Sequence, residues 1–177
     1  MGITYSRART ASELKEILAL QTTNLKDNVS HTEKESQGFI TVSHTFDMLN
    51  KMNNACQHVI AKDNAKVIGY ALAMLPSFRN EIPILTPMFV SADSLLGNKN
   101  YLVMGQICID KNYRGKGIFK GMYTFYKNEL SPQYDCLFTE VATENTRSLS
   151  AHKAIGFSIL KTEIAGDVSW ELMNWHW

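Results

Sequence analysis

The sequence predicts one mixed α/β domain. Three observations carry that expectation: the length with its apolar content, the alternation of strand-like and helix-like stretches, and the absence of any repeat or linker. At 177 residues with 45% apolar composition, the chain can bury one sizeable core and is short for two. Stretches of strand period and of helix period follow one another in the order βα(α)βββαβαββ, which joins local strand pairs to helical crossovers. No repeat, low-complexity tract or break rich in Pro, Gly and Ser interrupts that order, so residues 1–177 are expected to fold together.

Residues 3–9 read as a first strand. Thr10 followed three residues later by Glu13 is a capping box, so a helix should begin there. Leu14, Ile17, Leu18, Gln21 and Leu25 continue it at helical spacing. Residues 26–44 then turn polar, with Asn28, Ser30, Glu33, Lys34, Glu35, Ser36 and Gly38, and read as a loop ahead of a short helix over 46–52. Strands over 58–61 and 66–75 are joined by Lys62, Asp63, Asn64 and Ala65, where Asp and Asn suit a tight hairpin turn. Residues 78–98 hold Pro83 and Pro87 before an apolar stretch, which predicts a loop leading into a short helix. Tyr101–Ile109 is a near-continuous apolar run, the mark of a central strand covered on both faces.

A turn of Lys, Asn, Arg and Gly follows, then a helix with Ile118, Met122, Phe125 and Leu130 on one face, ended by Pro132. Cys136–Ala142 reads as a strand and Thr146–Ile155 as a helix closed by Gly156. Strands over 157–164 and 169–177 close the chain around Gly166 and Asp167.

A net charge of +1, from 18 basic against 17 acidic residues, provides no field to hold a phosphodiester backbone or an anionic membrane, so neither nucleic acid nor membrane is an expected partner. Cys56, Cys108 and Cys136 are odd in number, lack metal-type spacing and sit in apolar stretches. They predict buried thiols in a reducing compartment, with no disulfide and no metal. With no leader-like start and no long apolar run, the expected location is cytoplasmic. Met1, Gly2 and Ser6 fit the short N-myristoylation pattern, against which stands the strand expected to be buried over 3–9. His31, His44, His58 and His176 show no partner spacing.

The segment from Ile107, Cys108 and Ile109 through Asp110, Lys111, Asn112 and Tyr113 to Arg114, Gly115, Lys116, Gly117, Ile118 and Phe119 carries the chemistry. A buried strand runs there through a basic, glycine-containing turn into a helix. Helix starts leave N–H groups unpaired and carry partial positive charge, so they bind anions, and glycine lets the backbone approach. The spacing is neither a Walker A loop nor a dinucleotide fingerprint. A turn merely shaped by Gly115 and Gly117 is the competing reading.

Arg114, Gly115, Lys116, Gly117 and Ile118 after an apolar strand resemble the pyrophosphate-binding motif of the GNAT superfamily of acyl-CoA-dependent N-acetyltransferases, Gln/Arg-x-x-Gly-x-Gly/Ala. Phe119 departs from it, standing where the motif has Gly or Ala. A second family motif, Asn-x-x-Ala/Ser, then Tyr, then Gly-Phe, reads here as Asn145, Ser148, His152, Gly156 and Phe157. His152 stands in the Tyr position. The resemblance covers about residues 101–160.

It implies a mixed, mostly antiparallel central sheet of six to seven strands with helices on both faces and a splayed parallel strand pair at the cofactor site. It implies acetyl-CoA as co-substrate, with Ile107, Cys108, Ile109, Arg114, Gly115, Lys116, Gly117, Ile118, Phe119, Asn145 and Ser148 as the residues that bind it. The thioester oxyanion would meet an N–H near Ile109 or Cys108. The acceptor would be a small-molecule or peptide amine, lined by residues 24–44 and 78–98, and a homodimer is among the assemblies the family admits.

Direct transfer requires a neutral amine, and an alkylamine of pKa ~10.4 is almost wholly protonated at neutral pH. Glu140, whose strand alternation points it opposite to Thr139 and Val141, is the candidate base. A solvated or ion-paired carboxylate is the alternative. His152 takes the position of the Tyr that the family uses to protonate the leaving thiolate; packing beside the cofactor is its alternative. A core thiol is the preferred reading of Cys108 over a nucleophile. Competing functions are a non-catalytic acyl-CoA-binding module, transfer of a longer acyl group and a plain α/β interaction domain.

Overall fold

The apolar runs and hairpin turns of the sequence assemble into one sheet in a computed structural model that describes residues 2–32 and 37–177. Met1 of the acylation pattern and Glu33, Lys34, Glu35 and Ser36 of the polar loop lie outside the described residues. In chain order the elements are β1 Ile3–Arg7, α1 Ala11–Asn24, α2 Phe46–Ala55, β2 Val59–Asp63, β3 Lys66–Met74, α3 Thr86–Leu96, β4 Tyr101–Ile109, α4 Ile118–Leu130, β5 Cys136–Ala142, α5 Thr146–Ile155, β6 Ser158–Ala165 and β7 Val168–His176. Local signals account for most boundaries. The Thr10 and Glu13 box caps α1. Asn64, at φ +54, makes the β2–β3 turn, and Gly156 closes α5. The short helix expected within 78–98 is the 11-residue α3.

The strand order is β1-β2-β3-β4-β5-β7-β6, and the one parallel pair in it is β4 with β5. That ladder runs only over Tyr101↔Cys136, Leu102↔Leu137 and Val103↔Phe138. Beyond it the two strands open into a fork. Thr139 marks the junction, its hydroxyl donating to the Met104 carbonyl at 2.9 Å.

The two sheet faces bury separate cores. α1, α2 and α3 cover one face through Leu14, Ile17, Leu49, Met52 and Phe89, packed on Tyr70, Leu72, Val103 and Phe138. α4 and α5 cover the other through Ile118, Met122, Tyr123 and Leu149, packed on Ala71, Leu102, Leu137 and Met173. Apart from the partly buried Leu149, each large side chain among these contributes about 1.5–3 kcal/mol by its burial. Phe125, expected on the buried face of α4, is only half-buried, while Tyr123 and Tyr126 are fully buried. A tyrosine reads as amphipathic in sequence, yet its ring buries well: the Tyr126 hydroxyl donates to the Leu72 carbonyl at 3.3 Å, whereas the buried Tyr123 hydroxyl has no partner among the described residues. Among the described residues no helix is long and apolar enough to cross a membrane.

Candidate active site

The turn between β4 and α4 makes an open cradle. Gly115 and Gly117 adopt φ of +75° and +78°, with nothing within 4 Å of where a Cβ would stand, a backbone that L side chains rarely take. α4 then starts with no side-chain cap, whereas Thr10, Thr45 and Asn145 cap α1, α2 and α5. Its first intrahelical bond is from Gly121 N to the Gly117 carbonyl at 3.0 Å, so the N–H groups of Ile118, Phe119 and Lys120 have no helical partner. Above them lies a cavity of about 450 Å³ lined by Ile107, Cys108, Ile109, Arg114, Gly115, Gly117, Ile118, Phe119, Asn145 and Ser148. That size suits a cofactor-scale ligand.

Arg114 aims its guanidinium at Asn24 Oδ1, 2.6 Å away, and at the Ile109 carbonyl, 3.3 Å away. Lys116 does not line this cavity; its ammonium donates to the Asn112 carbonyl at 3.0 Å and lies over the Tyr113 ring. Lys120 and Arg147, which sequence reading passed over, supply further cations to the wall. Cys108 is buried, and that burial pushes its thiol up to about 12. A thiol so protonated is a core group rather than a nucleophile.

A smaller cavity of about 80 Å³, lined in common with the first by Ile107, Asn145 and Ser148, lies at the β4–β5 fork. Glu140 and His152 both line it, with Gln106, Trp170 and the 39–42 segment. Glu140 stands between the buried Thr139 and Val141. Burial raises its carboxyl to about 7, with the charge of Glu163 adding to the rise.

His152 is 1% exposed and ringed edge-on by Phe119, Tyr123 and Phe157, at centroid distances of 5.3, 5.7 and 5.2 Å. Its Nδ1 meets the Ser148 carbonyl at 2.7 Å. Since a carbonyl only accepts, Nδ1 carries the proton and Nε2 is a bare lone pair, and Nε2 has no partner among the described residues. Burial lowers the His152 pKa to about 4, so the neutral ring dominates at pH 7. The two departures from the family pattern, Phe119 and His152, are thus one packing unit.

Asn145 has structural duties as well: its Oδ1 caps α5 by accepting from Ser148 N, and its Nδ2 donates to the Phe39 carbonyl at 3.2 Å. Asn24, Phe39, Ile40 and Val42 from the expected 24–44 stretch line the two cavities. Residues 78–98 line neither of these two cavities. α3 packs instead on the core through Met88, Phe89, Ala92 and Leu96, which leaves Ser91 to reach Glu163. Trp170 and Gln106 were not singled out in sequence; a lone Gln within an apolar strand was the available signal for the second.

Comparison with solved structures places this architecture among acetyltransferases. The chain in the NatC complex bound to Gag peptide and CoA superposes with a TM-score of 0.71 at 15% identity, covering 100% of this chain and 99% of that one. The ribosomal-protein-S18-alanine N-acetyltransferase of Escherichia coli gives 0.66 at 13% identity, covering 99% and 94%. An N-acetyltransferase of Staphylococcus aureus gives 0.65 at 19% identity, covering 99% of each. At these identities the likeness is one of fold. No curated protein matches significantly in sequence. The acetyltransferase (GNAT) family matches residues 15–157.

Proposed function

Because the chain belongs to the acetyltransferase (GNAT) family, we propose that it acts as a single-domain enzyme that transfers an acetyl group from acetyl-CoA to a primary amine, by direct attack in a ternary complex. The observation that carries this reading is the junction of the two cavities. The open, uncapped start of α4 and the fork that holds Glu140 share the wall formed by Ile107, Asn145 and Ser148. An anionic carrier bound at the first would present its thioester at the second.

The residues fit acyl-CoA. The unpaired N–H groups of α4, the Gly115 and Gly117 cradle and the Arg114 side chain would hold the pyrophosphate. The β4 backbone at Ile107, Cys108 and Ile109, past the last rung at Val103, would hold the pantetheine arm, with an N–H near Ile109 or Cys108 for the oxyanion.

Glu140 takes one proton of the incoming ammonium, the amine nitrogen bonds to the acyl carbon, and the carbon–sulfur bond breaks as the second nitrogen proton passes to water and the amide forms. A carboxyl of pKa about 7 serves both ends of this sequence. It is basic enough to be ionised in a large share of molecules at neutral pH, and acidic enough once protonated to return a proton to a thiolate of pKa ~8.5. His152 then need not be the donor. Its neutral, Nδ1-protonated ring supports a role in packing Phe119 beside the cofactor.

The deciding experiment is thiol release from acetyl-CoA, with longer acyl-CoAs in parallel, across amino acids, polyamines, aminoglycosides and peptide N-termini. Turnover with an amine is the expected result. Tight acetyl-CoA binding with no turnover on any amine would favour a non-catalytic binding module, and faster turnover of a longer acyl-CoA would replace acetyl as the group transferred. A peptide acceptor is supported by the solved relative in complex with a peptide.

A further inference from the structure

The 39–44 segment crosses the smaller cavity without belonging to the sheet, yet buried side chains tie it down. Gln106 Nε2 donates to the Val42 carbonyl at 2.8 Å, and Gln106 Oε1 accepts from Gln21 Nε2 at 2.9 Å and from the Tyr70 hydroxyl at 2.6 Å. Gln21 Oε1 in turn accepts from His44 N at 2.8 Å. Gln21, Tyr70 and Gln106 are 1%, 0% and 8% exposed. Burying such amides is costly unless every group is satisfied, and a satisfied network fixes one geometry.

β4 is also bent to supply this group. Ala71 pairs with Ile107 and Ala73 with Met104, so Gly105 and Gln106 together oppose the single residue Leu72. The bulge flips the side-chain phase: Leu102 and Met104 pack on the α4 face before it, as do Ile107 and Ile109 after it. Gln106 is thereby turned to the α1 face, beside Tyr70 and into the cavity. Bulges next to sites re-aim side chains in this way.

We propose that Gln106 is a positioning residue of the acceptor cavity, setting the 39–44 segment across the β4–β5 fork so that this segment walls the cavity and keeps water from Glu140. The inference rests on the acetyl-transfer reading for what enters the cavity, but its mechanical claim stands apart from that reading and is tested on the full chain without acetyl-CoA. Two readouts are followed, amide hydrogen exchange over 39–44 and the titration midpoint of Glu140 by carbon NMR. The charged and titratable groups near that carboxyl are His152 on α5 and Glu163 on β6, the latter paired with Lys161.

Gln106→Leu should speed exchange over 39–44 at least tenfold and move the Glu140 midpoint toward the ordinary carboxylate range. Tyr70→Phe, which leaves the Val42 bond in place, should do neither. If Gln106→Leu does not fold, Gln21→Leu, which frees His44 N, should give the same two changes in weaker form. Unchanged exchange, or faster exchange with an unmoved midpoint, would overturn the proposal. Calorimetry with acetyl-CoA on the wild-type chain reports separately on the enzymatic reading, so the two can fail independently.

Discussion

Replacing Glu140 with Gln removes the candidate base while keeping its shape, and the structure puts numbers on two separate consequences. The carboxyl titrates near 7 instead of its ordinary 4.5, mainly because it is buried. At pH 7 about half of the molecules would carry the base in its active form, and each pH unit below that should cost about tenfold in rate. Glu140→Gln should lower turnover by ~10²-fold or more and abolish this acidic limb, with acetyl-CoA affinity little changed.

Stability should move the other way. A folded-state pKa above the unfolded one means that the native state holds its proton more tightly, so stability falls as pH rises from about 4.5 to about 7 and stays lower above that. A rise of this size corresponds to about 3 kcal/mol, as an order of magnitude. Glu140→Gln carries no such penalty, so the gap between variant and wild type in urea midpoints should open in favour of the variant between pH 5 and pH 8. His152 works against this in wild type. Its pKa, lowered by burial to about 4, takes stability away as pH falls from about 6.5, so only the difference between the two proteins isolates Glu140. A pH-independent difference in stability, or an acidic limb that survives in Glu140→Gln, would refute the reasoning and leave the base to water or another group.

Arg114→Glu should weaken acetyl-CoA at least tenfold, about 1.4 kcal/mol, by calorimetry on a variant whose thermal midpoint shows that loss of the Asn24 bond has not unfolded it. Gly117→Ala meets no protein atom but must hold φ +78°, so it should cost about 1 kcal/mol of stability; a larger loss of acetyl-CoA affinity than of stability would mark that methyl as standing in ligand space. For His152, the ratio of turnover in His152→Tyr to that in His152→Phe at saturating acetyl-CoA is expected near one, as packing requires, and a ratio of tenfold or more in favour of Tyr would restore the proton-donor role. A double-mutant cycle between Phe119→Ala and His152→Ala should show a coupling of about 0.5–1.5 kcal/mol from their edge-on contact; additive effects would separate the two departures again.

What the sequence determined by itself is what contiguous residues encode. The capping box at Thr10 and Glu13, the Asn64 turn, the strand and helix periods and the glycine-led, uncapped start of α4 each depend on neighbours a few residues apart, so the element order and the face of β5 that carries Glu140 were legible. The finer sheet plan, a fork between parallel strands, was legible only through the family resemblance, because strand pairing across the chain leaves no local mark.

Tertiary structure alone decided the environment of those residues. The apolar run of β4 hides its bulge, since a strand buried on both faces has no alternation in which a phase flip could be seen. In sequence His152 read equally as a proton donor and as a residue packing beside the cofactor, and only the closing of Phe119, Tyr123 and Phe157 around it made it a neutral packed ring. The bonds that tie Gln21 to Gln106 and Gln106 to Val42 span 85 and 64 residues. Their existence depends on how α1 docks on the sheet, and docking is set by the packing of whole faces, a non-local sum that no window of sequence contains.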